Sequence, residues 1–300
     1  MKIKYFLPIL KNEMPEVVVS KKKKFSELTT FGIGGKIGAY VKIDDRKVLF
    51  KLLRLLKLYR VKYFILGRGS NLLAGDTFHD LFVIHINFNE LFCFNNKIVC
   101  GAGVNLFRLN TFACENGLSG LEWSYGIPGS VGGAVYGNAG SFGGEMGKVV
   151  QYVYYTDGEH LYRKSGEELN FSYRKSYFSN KNYVILRVVL NLSSKEKEEI
   201  KMLCENNFEK KKALQPYEKR SAGSVFKRPL GTFAPILIEK CNLKGLIMGD
   251  AQISTKHCGF IVNLNGNAKF RDVYSLLKRT KRVVFREFKV KLEEEIVILK

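Results

Sequence analysis

Eight glycines fall within the twenty positions of GIPGSVGGAVYGNAGSFGGE (126–145), and no other stretch restricts the possible folds as much. A glycine inside regular structure costs roughly 0.5–1 kcal/mol relative to alanine. Such a run therefore belongs where the backbone turns in ways a Cβ forbids, or where something approaches the backbone closely. A shorter glycine loop, GRGSN (67–71), ends the β-like run YFIL. Both loops follow regular structure and are expected to expose consecutive backbone N–H groups, which can accept a pyrophosphate. Neither carries GxxxxGK[ST], and neither is a GxGxxG placed between a first strand and helix. On glycine content alone, a phosphate cradle and tight turns with close strand packing both remain open.

The periodicity around these loops is mixed. Residues 45–60 carry apolar side chains at helical spacing and lead into a short strand ending at the first loop. Strands are expected at 81–86 and 97–104, with a helix at 105–117 ended by glycine. VVQYVYYTDGEHLYRK reads as a hairpin around Asp-Gly, and 183–192 as another strand. The segment SSKEKEEIKMLCENNFEKKKAL offers a serine N-cap, an acidic first turn and a basic last turn, so a helix is expected there, with a domain boundary near its start. The last third reads as a helix in APILIEKCNLKG, a strand at 259–264, a helix at 267–288 and a final strand in EEIVIL. A chain of 300 residues with this pattern predicts at least two packing units of mixed helix and sheet.

No apolar run approaches the eighteen or so residues of a membrane span. The N-terminal apolar patch at 5–10 lacks a small-residue cleavage site, so the chain is expected in the cytoplasm. Six cysteines (Cys93, Cys100, Cys114, Cys204, Cys241, Cys258) form no CxxC pair and no zinc-like spacing, which predicts reduced structural thiols and no metal site. The formal charge of +21 suits a nucleic-acid binder, a membrane-surface protein or an enzyme of phosphorylated ligands. Its basic residues are scattered in short runs without aromatic interleaving, unlike a single-strand platform.

Seven stretches carry a resemblance: TTFGIGG (29–35), ILGRGSNLL (65–73), GLSGLEWSYGIPGSVGGAVYGNAGSFGGE (117–145), YRKSYF (173–178), GSVFKRP (223–229), STKHCGFIVN (254–263) and LEEEIVIL (292–299). In this order they resemble the motifs of the UDP-N-acetylenolpyruvoylglucosamine reductase family. The resemblance implies an α+β flavoenzyme of bacterial cell-wall precursor synthesis. It implies an N-terminal extension over 1–24 and an FAD-binding fold of the vanillyl-alcohol-oxidase (PCMH) type over 25–195, split near 80. A smaller α/β substrate-binding domain over 196–300, with a C-terminal catalytic strand, would follow. The implied ligands are non-covalent FAD, NADPH as hydride donor and a UDP-sugar, with no nucleic-acid partner and a monomeric chain. Gly67, Gly69, Ser70 and Asn71 match the first FAD loop of the family, in which Arg68 stands where glycine is common and is expected to add a cation near the flavin phosphates. Pro128, Gly129, Ser130, Gly132, Gly133, Asn138 and Gly140 match the second, and bulk at Gly132 or Gly133 is expected to cost flavin affinity.

Reducing an enolpyruvyl double bond leaves negative charge on one carbon, delocalised into the carboxylate, so the site needs a cation and a proton donor. By resemblance, Ser224 is the donor, Arg174 stabilises the enolate and Glu295 lies toward the carboxylate. Each has a plainer reading: a turn serine, a surface cation beside Lys175, and one of three solvated glutamates with Glu293 and Glu294. Tyr173, Lys227, Arg228 and His257 are the implied substrate contacts, the two cations at the UDP diphosphate; for His257 a structural hydrogen bond is the other reading. Gln215, Pro216 and Tyr217 are expected to shape the approach. The chain departs from the family pattern at Arg68, at Lys219 with Arg220, and at Val297, where an arginine is common. It resembles the shorter subgroup lacking a tyrosine-bearing insertion. The rival readings are an oxidase of a small alcohol or sugar on the same fold, and a colourless nucleic-acid binder.

Overall fold

The helical spacing at 45–60 becomes the helix Arg46–Leu58, begun by Asp45, whose carboxylate accepts the Val48 N–H at 3.0 Å. It buries Leu49, Leu52, Leu53 and Leu56, each contributing about 1.5–3 kcal/mol through lost water contact. The computed structural model describes residues 1–300 and divides into two compact units.

The first unit comprises Met1–Lys21, Gly38–Arg68 and Asp80–Glu209. It holds a three-stranded sheet ordered Ile37–Ile43, His79–Ile86, Tyr63–Leu66. Its larger sheet is antiparallel throughout, ordered Leu161–Ser165, Val150–Thr156, Val184–Asn191, Lys97–Gly101, Leu91–Phe94. The Asp-Gly hairpin forms as expected, with Asp157 Oδ1 accepting the N–H groups of Glu159 and His160 at 2.8 Å. The N-terminal stretch is no loose appendage: the helix Ile3–Glu13 buries Ile3, Phe6 and Leu10, and Phe6 packs edge-on against Phe82.

The helix expected from Ser193 begins later, at Lys197, and runs to Leu214. Ser193 and Ser194 instead pair antiparallel with Ser119 and Leu118, so neither caps the helix. Most of this helix belongs to the first unit, not to the second as a boundary near 195 implies. Cys204 Sγ donates to Asn110 Oδ1 at 3.1 Å, and Phe208 meets Tyr125 edge-on.

The second unit comprises Lys22–Ile37, Gly69–His79 and Lys210–Lys300. Its antiparallel sheet is ordered Arg220–Ser224, Phe260–Asn263, Ala251–Ile253, Ile247–Met248. The helix Phe270–Phe288 lays Val273, Leu276, Leu277 and Val284 into this unit's core. A parallel pair joins Val297–Leu299 to Leu72–Ala74. The motif TTFGIGG is fastened to the sheet: Thr30 Oγ1 donates to Ser221 O at 2.7 Å, and Asn263 Nδ2 to Phe31 O at 3.1 Å.

Candidate active site

In the second unit a β-bulge decides where Ser224 points. Ser221 pairs with Val262 and Ser224 with Phe260, so Ala222 and Gly223 together oppose Ile261. Gly223 adopts φ +77°, open only to glycine without strain, and nothing stands within 4 Å of where its Cβ would be. An isolated glycine inside a strand pattern is a bulge signal that the sequence already contained. Ser224 itself is half-buried, its Oγ donating weakly to Phe226 O at 3.4 Å.

The acidic triplet separates into distinct environments. Glu293 pairs with Lys227 at 3.2 Å, and Glu294 takes Lys281 at 2.8 Å. Glu295 is held by its main chain: its N–H donates to Val225 O at 2.9 Å, and its carbonyl accepts Asn71 Nδ2 at 3.2 Å. Glu295 therefore lies beside the Ser224 strand, and Asn71, at the end of the first glycine loop, is fastened to the Glu295 segment. Val297, at the position where an arginine is common, donates its N–H to Asn71 O at 2.9 Å and pairs with Leu72. Arg220, another departure, covers Gly32, with Nη1 2.8 Å from the ideal Cβ position there.

His257 accepts the Gly259 N–H on Nδ1 at 3.1 Å and meets Phe260 edge-on. Burial lowers its pKa and favours the neutral ring. The structural hydrogen bond considered for His257 is thus present. Arg228 stacks on Phe233, its Cζ 4.6 Å from the ring centroid.

Arg174 lies in the first unit, in a two-residue turn. Ser172 and Lys175 exchange N–H···O bonds of 3.1 and 3.0 Å around Tyr173 and Arg174. Arg174 takes φ +56°, a left-handed conformation costing a side-chain-bearing residue about 1–2 kcal/mol. Its Nη2 donates to Gly140 O at 3.2 Å, and its guanidinium lies over the Tyr173 ring at 5.2 Å.

The two glycine loops differ. In the first, Gly69 has φ +63°, and the N–H groups of Gly69 and Ser70 donate to no carbonyl of the chain. Successive N–H groups in such a turn form an anion-binding concavity. Arg68 is exposed on the same loop, which contains no carboxylate. These donors fit a diphosphate such as that of FAD. The second loop departs from expectation, because the turn at 102–104 that follows the strand Lys97–Gly101 packs against it and takes two of its donors. Val131 N–H donates to Val104 O and Gly132 N–H to Ala102 O, both at 2.9 Å, while Gly133 N–H reaches Ser130 Oγ at 3.4 Å. Close packing explains several of its glycines: an ideal Cβ on Gly132 would lie 3.0 Å from Ala102 Cβ, and one on Gly67 would lie 2.5 Å from Ser130 Oγ. Gly129 meets Leu106 in the same way, and Pro128 precedes it in the turn that enters the helix Val131–Tyr136.

Two family models match this chain. One, an FAD binding domain, covers residues 37–159; the other, the UDP-N-acetylenolpyruvoylglucosamine reductase C-terminal domain, covers 215–299. The UDP-N-acetylenolpyruvoylglucosamine reductase of Pseudothermotoga lettingae is 44% identical over 235 residues, covering 78% of this chain and 82% of that protein. The chain belongs to the UDP-N-acetylenolpyruvoylglucosamine reductase family. The crystal structure of the reductase from Thermus caldophilus superposes with a TM-score of 0.80 at 36% identity, over 95% of this chain and 99% of that one. A glucose dehydrogenase, Phl p 4.0202, shares the fold at a TM-score of 0.51 and 13% identity, over 63% of this chain and 44% of its own. The α+β architecture is accordingly an FAD-binding PCMH-type domain followed by the reductase family's C-terminal domain. Within that family frame, sequence reasoning missed the bulge at Gly223 and the protein-bound role of Asn138. Wholly buried, Asn138 spends its amide on backbone groups, donating to Ser172 O at 3.0 Å and accepting from Gly147 N–H at 2.9 Å.

Proposed function

We propose that this chain reduces UDP-N-acetylglucosamine enolpyruvate to UDP-N-acetylmuramate, with NADPH as hydride donor and non-covalent FAD as carrier, in peptidoglycan-precursor synthesis. The observation that carries the assignment of roles is the Glu295 N–H bond to Val225 O, which sets an acidic residue beside the proposed proton donor Ser224.

When bound, FAD supplies the chemistry of accepting a hydride from NADPH and delivering one to the alkene. The chain supplies the rest. Gly69 and Ser70 offer N–H donors and Arg68 a cation to the flavin diphosphate, with Gly67 and Asn71 completing the loop. Pro128, Gly129, Ser130, Gly132, Gly133 and Gly140 supply thin backbone to the flavin, without free amide donors at 131 and 132.

Hydride addition to one alkene carbon moves the π pair toward the other carbon and into the neighbouring carboxylate. Arg174, a permanent cation with a planar fork, meets that enolate. Ser224 gives its hydroxyl proton to the carbon, and the new C–H bond consumes the electron pair. Glu295 lies at the carboxylate end, protonated or hydrogen-bonded, because a bare carboxylate there would oppose the developing charge. Tyr173, Lys227, Arg228 and His257 orient the UDP-sugar, the two cations at its diphosphate.

We place the reaction in the cytoplasm, with the chain acting as a monomer; no helix is long and apolar enough to cross a membrane. Anaerobic mixing tests the proposal. NADPH bleaches the flavin of the purified protein, and the enolpyruvyl substrate then restores its colour. Flavin that returns with oxygen but not with the enolpyruvyl substrate contradicts it and favours an oxidase.

A further inference from the structure

We propose that Asn138 is the positioning residue of Arg174, acting through the turn that carries it, and does not itself contact flavin or substrate. The proposal rests on the reading of Arg174 as the cation that meets the enolate. Three alternate residues of one short stretch hold the segment that contains Arg174. Tyr136 O accepts the hydroxyls of Ser176 at 2.8 Å and Ser179 at 3.2 Å. Asn138 Nδ2 donates to Ser172 O, and Gly140 O accepts the Arg174 guanidinium. One stretch thus fixes the base of the turn, the chain that leaves it and the charged head.

Asn138 suits this task because of its chemistry. It takes φ +43°, and asparagine tolerates the left-handed region better than most residues. Its amide neighbours are one acceptor, Ser172 O, and one donor, Gly147 N–H, so the group fits only one way round. With both amide atoms engaged and no surface exposed, it presents nothing to a ligand. Arg174 has its own reason to need support, since its left-handed backbone persists only where the surroundings hold it.

The test is Asn138→Asp, which keeps size and the acceptor but turns an oxygen toward Ser172 O. In flavin-free protein, amide exchange at Ser172 and Lys175 accelerates at least about tenfold; unchanged protection overturns the proposal. In the loaded enzyme, flavin uptake and reduction by NADPH stay within about threefold of wild type. Reoxidation by the enolpyruvyl substrate slows about tenfold to a hundredfold, the cost of a displaced catalytic group. In an Arg174→Gln background, Asn138→Asp adds no further slowing. Equal slowing in both backgrounds, or loss of flavin uptake with normal reoxidation of the loaded fraction, overturns the proposal. Arg174→Gln that reoxidises at the wild-type rate overturns the catalytic reading of Arg174 instead, and is told apart because the exchange result still stands. Should Asn138→Asp not fold, Asn138→Gly, which adopts φ +43° freely, serves in every arm.

Discussion

Glu295 and Val225 share a main-chain hydrogen bond of 2.9 Å, with Phe226 and Glu294 bridging antiparallel next to it. The backbone under Glu295 is therefore anchored independently of its carboxyl group. Glu295→Gln should leave Ser224 in place, keep flavin uptake and reduction by NADPH, and slow flavin reoxidation by substrate about tenfold to a thousandfold. Stopped-flow absorbance of the two half-reactions measures this; slowing confined to the NADPH step would contradict it.

Trp123, the chain's single tryptophan, is 5% exposed and donates from Nε1 to Gly120 O at 3.0 Å. A Cβ on Gly144 would overlap its ring, whereas one on Gly143 would meet nothing within 4 Å. Gly144→Ala should cost about 1–3 kcal/mol through overpacking, and Gly143→Ala about 1 kcal/mol through its φ of +81°. Urea unfolding followed by Trp123 fluorescence ranks the two. Equal midpoints would contradict the packing account.

His85 and His257 are both held below the ordinary imidazole pKa of 6.5 by burial, His85 also by Lys42 and Arg68. His85 Nδ1 lies 2.8 Å from the Tyr40 hydroxyl, a bond that suits a neutral ring. As pH falls through about 6.5, the unfolded chain binds protons at these rings before the folded chain does. Stability should therefore decline below pH 6.5 and level off once the folded rings are charged. Urea midpoints at pH 7.5, 6.5 and 5.5 should show this, with a smaller decline in His257→Asn. A midpoint that rises on acidification would contradict the assignment.

Both substrates are polyanions, and the chain carries a formal charge of +21. kcat/KM for NADPH and for the UDP-sugar should fall severalfold between about 50 and 500 mM salt, as screening weakens the field of the whole protein. Lys227→Ala should flatten the salt dependence for the UDP-sugar more than for NADPH. Identical slopes for wild type and variant would remove Lys227 from the diphosphate.

Local signals were the legible part of the sequence. The helix Arg46–Leu58 and the Asp157–Gly158 hairpin follow from spacing and turn chemistry within a few residues. The serines at 193 and 194 had the chemistry of a cap, but strand pairing with Leu118 and Ser119 claims them. The site motifs were readable only as text in register with a family. That Glu293 and Glu294 belong to Lys227 and Lys281 depends on partners 66 and 13 residues away. The bond from Asn138 to Ser172 spans 34 residues, beyond any local pattern. Glycine content leaves open whether the run cradles a ligand or packs tightly, and the donors of Val131 and Gly132 go to the turn at 102–104, a pairing no local pattern shows.

The most direct test of Ser224 as the hydroxyl that protonates the substrate carbon is Ser224→Ala, with the two half-reactions timed separately under anaerobic conditions. Flavin reduction by NADPH should stay near the wild-type rate, and reoxidation by UDP-N-acetylglucosamine enolpyruvate should slow by at least about a hundredfold. Equal loss in both half-reactions, or reoxidation at the wild-type rate, would contradict it.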